Sequence, residues 1–194
     1  VNEILKKYMS RFTTLQEAEQ QAIIDSLDIA EVKKGTDLLR QGDTPTKCYF
    51  VLQGCIRQYS LDEMGKETTS NFYTEEQAIS LFNHDKEATF SAYTFTSLED
   101  SILVVGDLDQ EEEMYNKHNQ LETMTRKMME EAFGQAQDNF ATFISLSPEE
   151  RYQSVLVKQP TLIHRVPQHQ LASYLGMTPE SLSRIKKRVD NRTS

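Results

Sequence analysis

The sequence predicts an α+β chain, and three observations carry that prediction. From about residue 29 to residue 107, short runs rich in β-branched and aromatic residues alternate with turn signals. Five of the seven glycines fall there: Gly35, Gly42, Gly54, Gly65 and Gly106. Regular short strands punctuated in this way favour an antiparallel sandwich or barrel. Between Gln110 and Phe143 there is no proline and one glycine, Gly134, as a long helix requires. Beyond that, Pro148, Pro160, Pro167 and Pro179 punctuate a run of shorter helical patterns. The expected divisions are residues 1–109, 110–144 and 145–194.

Taken in order, Ile4, Leu5, Tyr8 and Phe12 have the spacing of a short first helix. Thr14-x-x-Glu17 reads as a capping box for a second, whose apolar face is Ala22, Ile23 and Leu27. Strands are expected at residues 47–53, 55–61, 67–73, 90–97 and 101–107. Gln53-Gly54 and Glu63-Met64-Gly65-Lys66 read as hairpin turns. Residues 74–88 are polar and read as a short helix and a loop. On the long helix, Met114, Leu121 and Met128 are seven apart, with His118, Thr125 and Ala132 between them at a- and d-like spacing. Such a weak, partly polar seam fits either a helix packed on its own sheet or a dimer interface; its length and irregularity favour the dimer. His118 is read as a packed or hydrogen-bonded seam residue, since no second metal ligand is near it in sequence. Ser147 is the expected N-cap of the next helix, with Pro148 at its first position and Glu149 and Glu150 in its first turn.

Composition excludes several classes. No apolar run approaches the roughly 18–20 residues of a membrane span; the longest clear one is Ile102 to Val105. Val1, Asn2 and Glu3 show no basic-then-apolar signal pattern, so a cytoplasmic protein without membrane contact is expected. Cys48 and Cys55 are too few for a zinc or all-cysteine iron–sulfur site and read as small buried strand residues. No cofactor or metal is expected. A metal-dependent jelly-roll enzyme would need several histidines and a carboxylate on its strands, and the β region holds only His84. No Ser/His/Asp arrangement and no Gly-rich phosphate loop stands out, so no enzyme is expected.

The formal charge of −9 is unevenly placed. From Arg151 onward eight basic residues face two acidic ones, a net of +6, which leaves −15 on the preceding residues. A basic segment attracts nucleic acid and an acidic body repels it. Within the basic segment, HQLASYLGMTPESLSR (residues 169–184) has the pattern of a helix-turn-helix that opens at Gln168. Leu171, Leu175, Met177, Leu182 and Ile185 are its expected buried positions. Ala172 sits where two helices approach, Gly176 where the turn needs a positive φ, and Pro179 where a helix needs no donor. An αα-hairpin with no DNA role is the bland alternative. The second helix would present Glu180, Ser181, Ser183, Arg184 and Lys187. Arginine bonds guanine N7 and O6 with two donors, and glutamate accepts from cytosine N4. Glu180 and Arg184, four apart, share one face, where a surface ion pair and base reading are compatible. Lys186, Lys187 and Arg188 suit phosphate contacts. Gln168, His169 and Thr178 complete the expected DNA-binding set.

A glycine-punctuated β domain, a long helix and a helix-turn-helix, in that order, resemble the Crp/Fnr family of bacterial transcription regulators over nearly the full chain. The sharpest part is Glu180-Ser181-Leu182-Ser183-Arg184, similar to the Glu-x-x-Ser-Arg motif with which Fnr-like members read half-sites. The wider run from Val166 to Lys187 resembles Bacteroidetes-type regulators. The resemblance implies a cyclic-nucleotide-binding-like, jelly-roll-type β-roll with flanking helices, a long dimerisation helix and base contacts from Glu180, Ser183 and Arg184. It also implies a homodimer on palindromic double-stranded DNA. RNA polymerase and an unidentified small-molecule effector stand as further partners.

Three departures qualify it. Cyclic-nucleotide binders carry a Gly-Glu pair and an Arg-Ser that clamps the phosphate. Here Ser91-Ala92 falls in the Arg-Ser position, and the preceding region reads Glu75-Glu76-Gln77-Ala78-Ile79. A phosphate monoanion needs a guanidinium or equivalent donors, so cyclic AMP control is not expected. The two cysteines do not supply the cluster ligands of oxygen-sensing members. Only Asp190 to Ser194 follow the expected recognition helix, so its wing is expected to be short or absent, and Pro179 stands where the family often has a base-contacting arginine. The rival function is a sensor that acts through protein contacts after losing DNA binding.

Overall fold

The computed structural model describes residues 2–79, 90–117 and 119–193. Two helices lead, α1 (Asn2–Phe12) and α2 (Glu17–Asp25). Helix α2 is capped two residues later than the expected box: the Gln16 N–H donates to Glu19 Oε2 at 2.9 Å. Among the described residues eight strands follow: β1 (Asp28–Val32), β2 (Asp37–Leu39), β3 (Lys47–Gln53), β4 (Ile56–Leu61), β5 (Glu67–Tyr73), β6 (Ala78–Ile79), β7 (Thr94–Ser97) and β8 (Ser101–Asp107). They form two four-stranded antiparallel sheets, ordered β1-β8-β3-β6 and β2-β7-β4-β5.

This partition corrects one expected hairpin. Gln53-Gly54 joins β3 to β4, which belong to different sheets, so it is a crossover and not a hairpin. Gly54 stands at φ +118, and a Cβ there would lie 2.0 Å from Ser101 Oγ. Glu63-Met64-Gly65-Lys66 does close a hairpin, between β4 and β5. The expected strand at residues 90–97 is ordered as strand only from Thr94. Within the polar stretch 74–88 the described residues hold the short strand β6; residues 80–88, with His84, lie outside the described residues, and the expected helix is not tested there.

Three apolar clusters explain the layers. Val51, Ile79 and Leu103 of the first sheet meet Leu39, Ile56 and Phe95 of the second. On the opposite face of the first sheet, Phe50, Leu52 and Val104 pack on Leu5, Tyr8, Met9, Phe12, Ile23 and Ile24 of α1 and α2. Successive strand residues point to opposite faces, so β3 and β8, covered on both, read as continuous apolar runs. Burial pushes the Tyr8 hydroxyl up to about 12.

The long helical region follows a 3-10 turn (Leu108–Gln110) and is described as α3 (Glu111–Lys117) and α4 (Asn119–Ser145). His118, between them, lies outside the described residues. Leu121 is 5% exposed and belongs to the core of its own chain, with Met114 and Met128 packed beside it. Thr125 is half-buried and Ala132 exposed. The helix therefore does pack on its own β domain. A different stripe is left uncovered: Phe133, Phe140 and Ile144 are 66%, 67% and 66% exposed.

Four helices end the chain: α5 (Pro148–Lys158), α6 (Leu162–Arg165), α7 (Gln168–Tyr174) and α8 (Pro179–Thr193). Ser147 caps α5 as expected, its Oγ accepting from the Glu150 N–H while Glu150 Oε2 accepts from the Ser147 N–H. Residues 190–193, expected to follow the recognition helix, continue it.

Gly54→Ala should destabilise the fold by about 2 kcal/mol or more, because clash and positive φ act together. A shift in denaturant midpoint measures it; a change within about 0.5 kcal/mol would contradict the packing described at the crossover.

Candidate nucleic-acid interface

Helices α7 and α8 form the two-helix unit. Leu171, Ala172 and Leu182 are fully buried, Leu175 and Ile185 nearly so, and Met177 packs against them. Gly176 takes φ +68 in the turn, and a Cβ there would meet the Phe143 ring at 2.8 Å. The Thr178 hydroxyl accepts from the Ser181 N–H (3.2 Å) ahead of Pro179. Gln168 Nε2 donates to the Pro179 carbonyl (3.3 Å), which ties the start of α7 to the start of α8.

The outward face of α8 carries the expected reading residues. Glu180, Arg184 and Lys187 are exposed; Ser181, Ser183 and Lys186 are half-buried; His169 and Thr178 are exposed. Arg184 Nε donates to the Glu180 carbonyl (3.4 Å) and not to its carboxylate. The Glu180 carboxyl is held below its ordinary range by its own N–H and by the Thr178 hydroxyl, so it stays an acceptor near neutral pH. Arg188 departs from expectation: it pairs with Glu149 of α5 (3.0 Å), which occupies one cation assigned to phosphate.

The unit is seated on the β domain through contacts that local spacing did not reveal. In β5 the register against β4 shifts at Ser70, a bulge that puts Thr69 and Phe72 on the same outer face. Phe72 meets Tyr174 of α7 edge-on at 5.3 Å. Cys55 and Phe72 join the cluster of Leu171, Ala172, Leu175 and Leu182. Because β5 is an edge strand, its Thr69 N–H is free to donate to Ser173 Oγ (2.9 Å). Below it, Arg57 is buried, donating to Thr69 Oγ1 and Glu67 with its guanidinium 4.2 Å over Tyr59. Burial pushes the Cys55 thiol up to about 12, as suits a packed strand residue.

Arg165 of α6 completes the seat. Its guanidinium makes a two-pronged contact with Glu75 (2.8 and 2.9 Å) and also bonds Glu99. Glu75 Oε1 accepts in addition from the Gly54 N–H (2.9 Å). At the other end, Arg151 stacks on Phe143 of α4 (4.0 Å) and donates to the Leu146 and Leu175 carbonyls. Magnitudes separate the roles. Burying one Phe contributes roughly 1.5–3 kcal/mol, whereas a partly exposed ion pair contributes roughly 0–1 kcal/mol. The apolar cluster therefore supplies most of the attachment, and Arg165 adds a polar link between α6 and the β domain. A signal existed in the sequence, a lone arginine in the apolar run between Pro160 and Pro167, but its partners are distant in sequence.

Comparison with known proteins agrees with this architecture. The cyclic nucleotide-binding domain model matches residues 29–118. The transcriptional activator FnrA of Stutzerimonas stutzeri is 23% identical over 165 residues, covering 79% of this chain and 67% of that protein. Anr of Pseudomonas protegens is 22% identical over the same shares. The chain is similar to these two transcriptional activators over most of its length. Among solved structures, FixK2 of Bradyrhizobium japonicum superposes with TM-score 0.69 at 15% identity, over 86% of each chain. A Crp/Fnr protein from Eubacterium rectale gives 0.66 at 21%, over 96% of this chain and 88% of that one. At these identities the superpositions show a shared fold over most of this chain. Among the described residues no helix is long and apolar enough to cross a membrane.

The seat predicts a specific acid sensitivity. Burial raises the Glu75 pKa, but hydrogen bonds from Arg165 and Gly54 outweigh it, and the net is a lowered value. A depressed carboxylate stabilises the fold above its ordinary pKa of about 4.3, and that stability is lost as pH falls through the depressed value. Thermal stability should therefore drop below about pH 4.3, and less so in Glu75→Gln. Identical pH profiles for the two proteins would contradict the pairing.

Proposed function

We propose that this chain is a sequence-specific, DNA-binding transcription regulator that acts as a homodimer on an inverted-repeat site. The observation that carries the reading is the outward face of α8. An ionised glutamate and an arginine whose tip makes no ion pair among the described residues stand one turn apart on a two-helix unit whose Leu171, Ala172 and Leu182 are fully buried, in the segment of net charge +6. Glu180, Ser183 and Arg184 reach base edges, with Ser181 beside them. Lys186, Lys187 and, on release from Glu149, Arg188 meet phosphates, as do Gln168, His169 and Thr178 at the N-terminal ends of the two helices. The names of FnrA and Anr as transcriptional activators support this reading.

A second copy covers the free stripe of α4. Phe133, Phe140 and Ile144 fall on one side of the helix at spacings of seven and four. Ala132 lies at its edge, while Met114, Leu121, Thr125 and Met128 occupy the flank turned to the β domain. Joining two copies there places two recognition helices in successive major grooves, about 34–36 Å apart.

Cyclic AMP does not control it. Both arginines of residues 28–107 are engaged by carboxylates: Arg40 by Asp37 (2.8 Å) and Arg57 by Glu67 (2.6 Å). Ser91 is buried, with its hydroxyl on the Tyr93 carbonyl (2.7 Å) and its N–H on the Asp43 carbonyl (2.8 Å). No guanidinium is left there for a cyclic phosphate.

Arg184→Ala should cost about 1–3 kcal/mol on the preferred site and relax preference at one base pair. Equal loss on every sequence would reduce Arg184 to a phosphate contact. Phe140→Glu should shift sedimentation from dimer to monomer and weaken binding to the full palindrome; an unchanged dimer would place the interface elsewhere.

A further inference from the structure

We propose that Arg165 is a positioning residue for DNA recognition: clamped by Glu75 and Glu99, it sets the angle of the helix-turn-helix on the β domain, and releasing it changes that angle. The inference rests on α8 being the DNA-reading helix.

The clamp is rigid on both sides. Arg165 ends α6, and only Val166 and Pro167 separate it from α7, with Pro167 at φ −58. The backbone that carries Arg165 is therefore tied closely to the start of α7. On the β domain, Glu75 is fixed by the Gly54 N–H. Glu99 sits in the turn between β7 and β8, where its carbonyl accepts from the Ser97 and Ser101 hydroxyls. Glu75 lies between β5, which seats α7, and β6, which pairs with β3 of the first sheet. A shift inside the β domain at this point moves one jaw of the clamp.

Part of the junction stays open to solvent, so packing does not cover all of it. A half-open cleft of about 540 Å³ is lined by residues of β5, the end of α4, α5 and α7. Beside Arg165, Gln170 Oε1 is buried without a hydrogen-bond partner. The orphan acceptor disfavours the seated arrangement, and the grip of the Glu75 and Glu99 carboxylates on one guanidinium opposes it. Such a balance between discrete polar contacts and incomplete packing is what a two-state element needs.

Amide exchange on the full chain tests the clamp without DNA. In Arg165→Met, and independently in Glu75→Gln/Glu99→Gln, the Thr69 amide that bonds Ser173 should exchange about tenfold faster or more, while amides of β8 keep their wild-type rates. Unchanged Thr69 exchange with both variants folded would overturn the clamp. The DNA arm uses two half-sites whose spacing is varied one base pair at a time. The wild type should prefer one spacing; the variants should bind all spacings alike, with half-site base preference kept. Variants that retain the wild-type spacing preference would overturn the positioning role. A wild type that binds no DNA would overturn the DNA reading and with it this role, whereas the exchange result would still decide whether the clamp holds the junction.

Discussion

The seating of α7 on the outer face of β5 is the interaction on which the other functional features depend. One apolar cluster runs without interruption from Cys55 and Phe72 of the β domain to Leu171, Ala172, Leu175 and Leu182 of the two-helix unit. Because α7 is held there, α8 is turned outward and Glu180 and Arg184 face solvent. Because Gly176 admits the Phe143 ring against the turn, the end of α4 is tied to the same unit. Removing the bulge at Ser70 would turn Phe72 or Thr69 to the wrong side, since a one-residue slip reverses every side chain beyond it.

Charge acts on a longer scale. The residues before Arg151 carry −15, against +6 on the segment that follows. Salt screens exposed charges beyond about 8 Å at physiological ionic strength, so the face of α8 is governed by its own neighbours. Those neighbours are selective: Glu149 occupies Arg188, and Glu75 and Glu99 occupy Arg165, while Arg184 and Lys187 stay exposed. Carboxylates of the acidic body thus pair with Arg165 and Arg188, while Arg184 and Lys187 on the outward face of α8 stay exposed.

Much of this was legible in the sequence because local rules decide it. Ala172, Gly176 and Pro179 each meet a steric requirement that few residues satisfy, so the two-helix unit could be placed from three positions. The strands β3, β5 and β8 were marked by composition and turn residues. What failed to show was long-range. Gly54 looks like a hairpin glycine, and only the sheet order shows that it carries the chain from one sheet to the other. Met114, Leu121 and Met128 have the spacing of a seam, but spacing does not say which neighbour fills it; Leu121 faces the chain's own core, while the exposed stripe is Phe133, Phe140 and Ile144. Arg165, Glu75 and Glu99 are separated by 66 and 90 residues along the chain, so no local pattern could join them.

The central claim is that the outward face of α8 reads DNA as one half of a symmetric pair. Selection of binding fragments from a random DNA library by the full chain tests it most directly. The account predicts enrichment of an inverted repeat whose two half-sites are centred about one helical turn, 34–36 Å, apart. Absence of any enriched sequence, or enrichment of a single unpaired half-site, would contradict it.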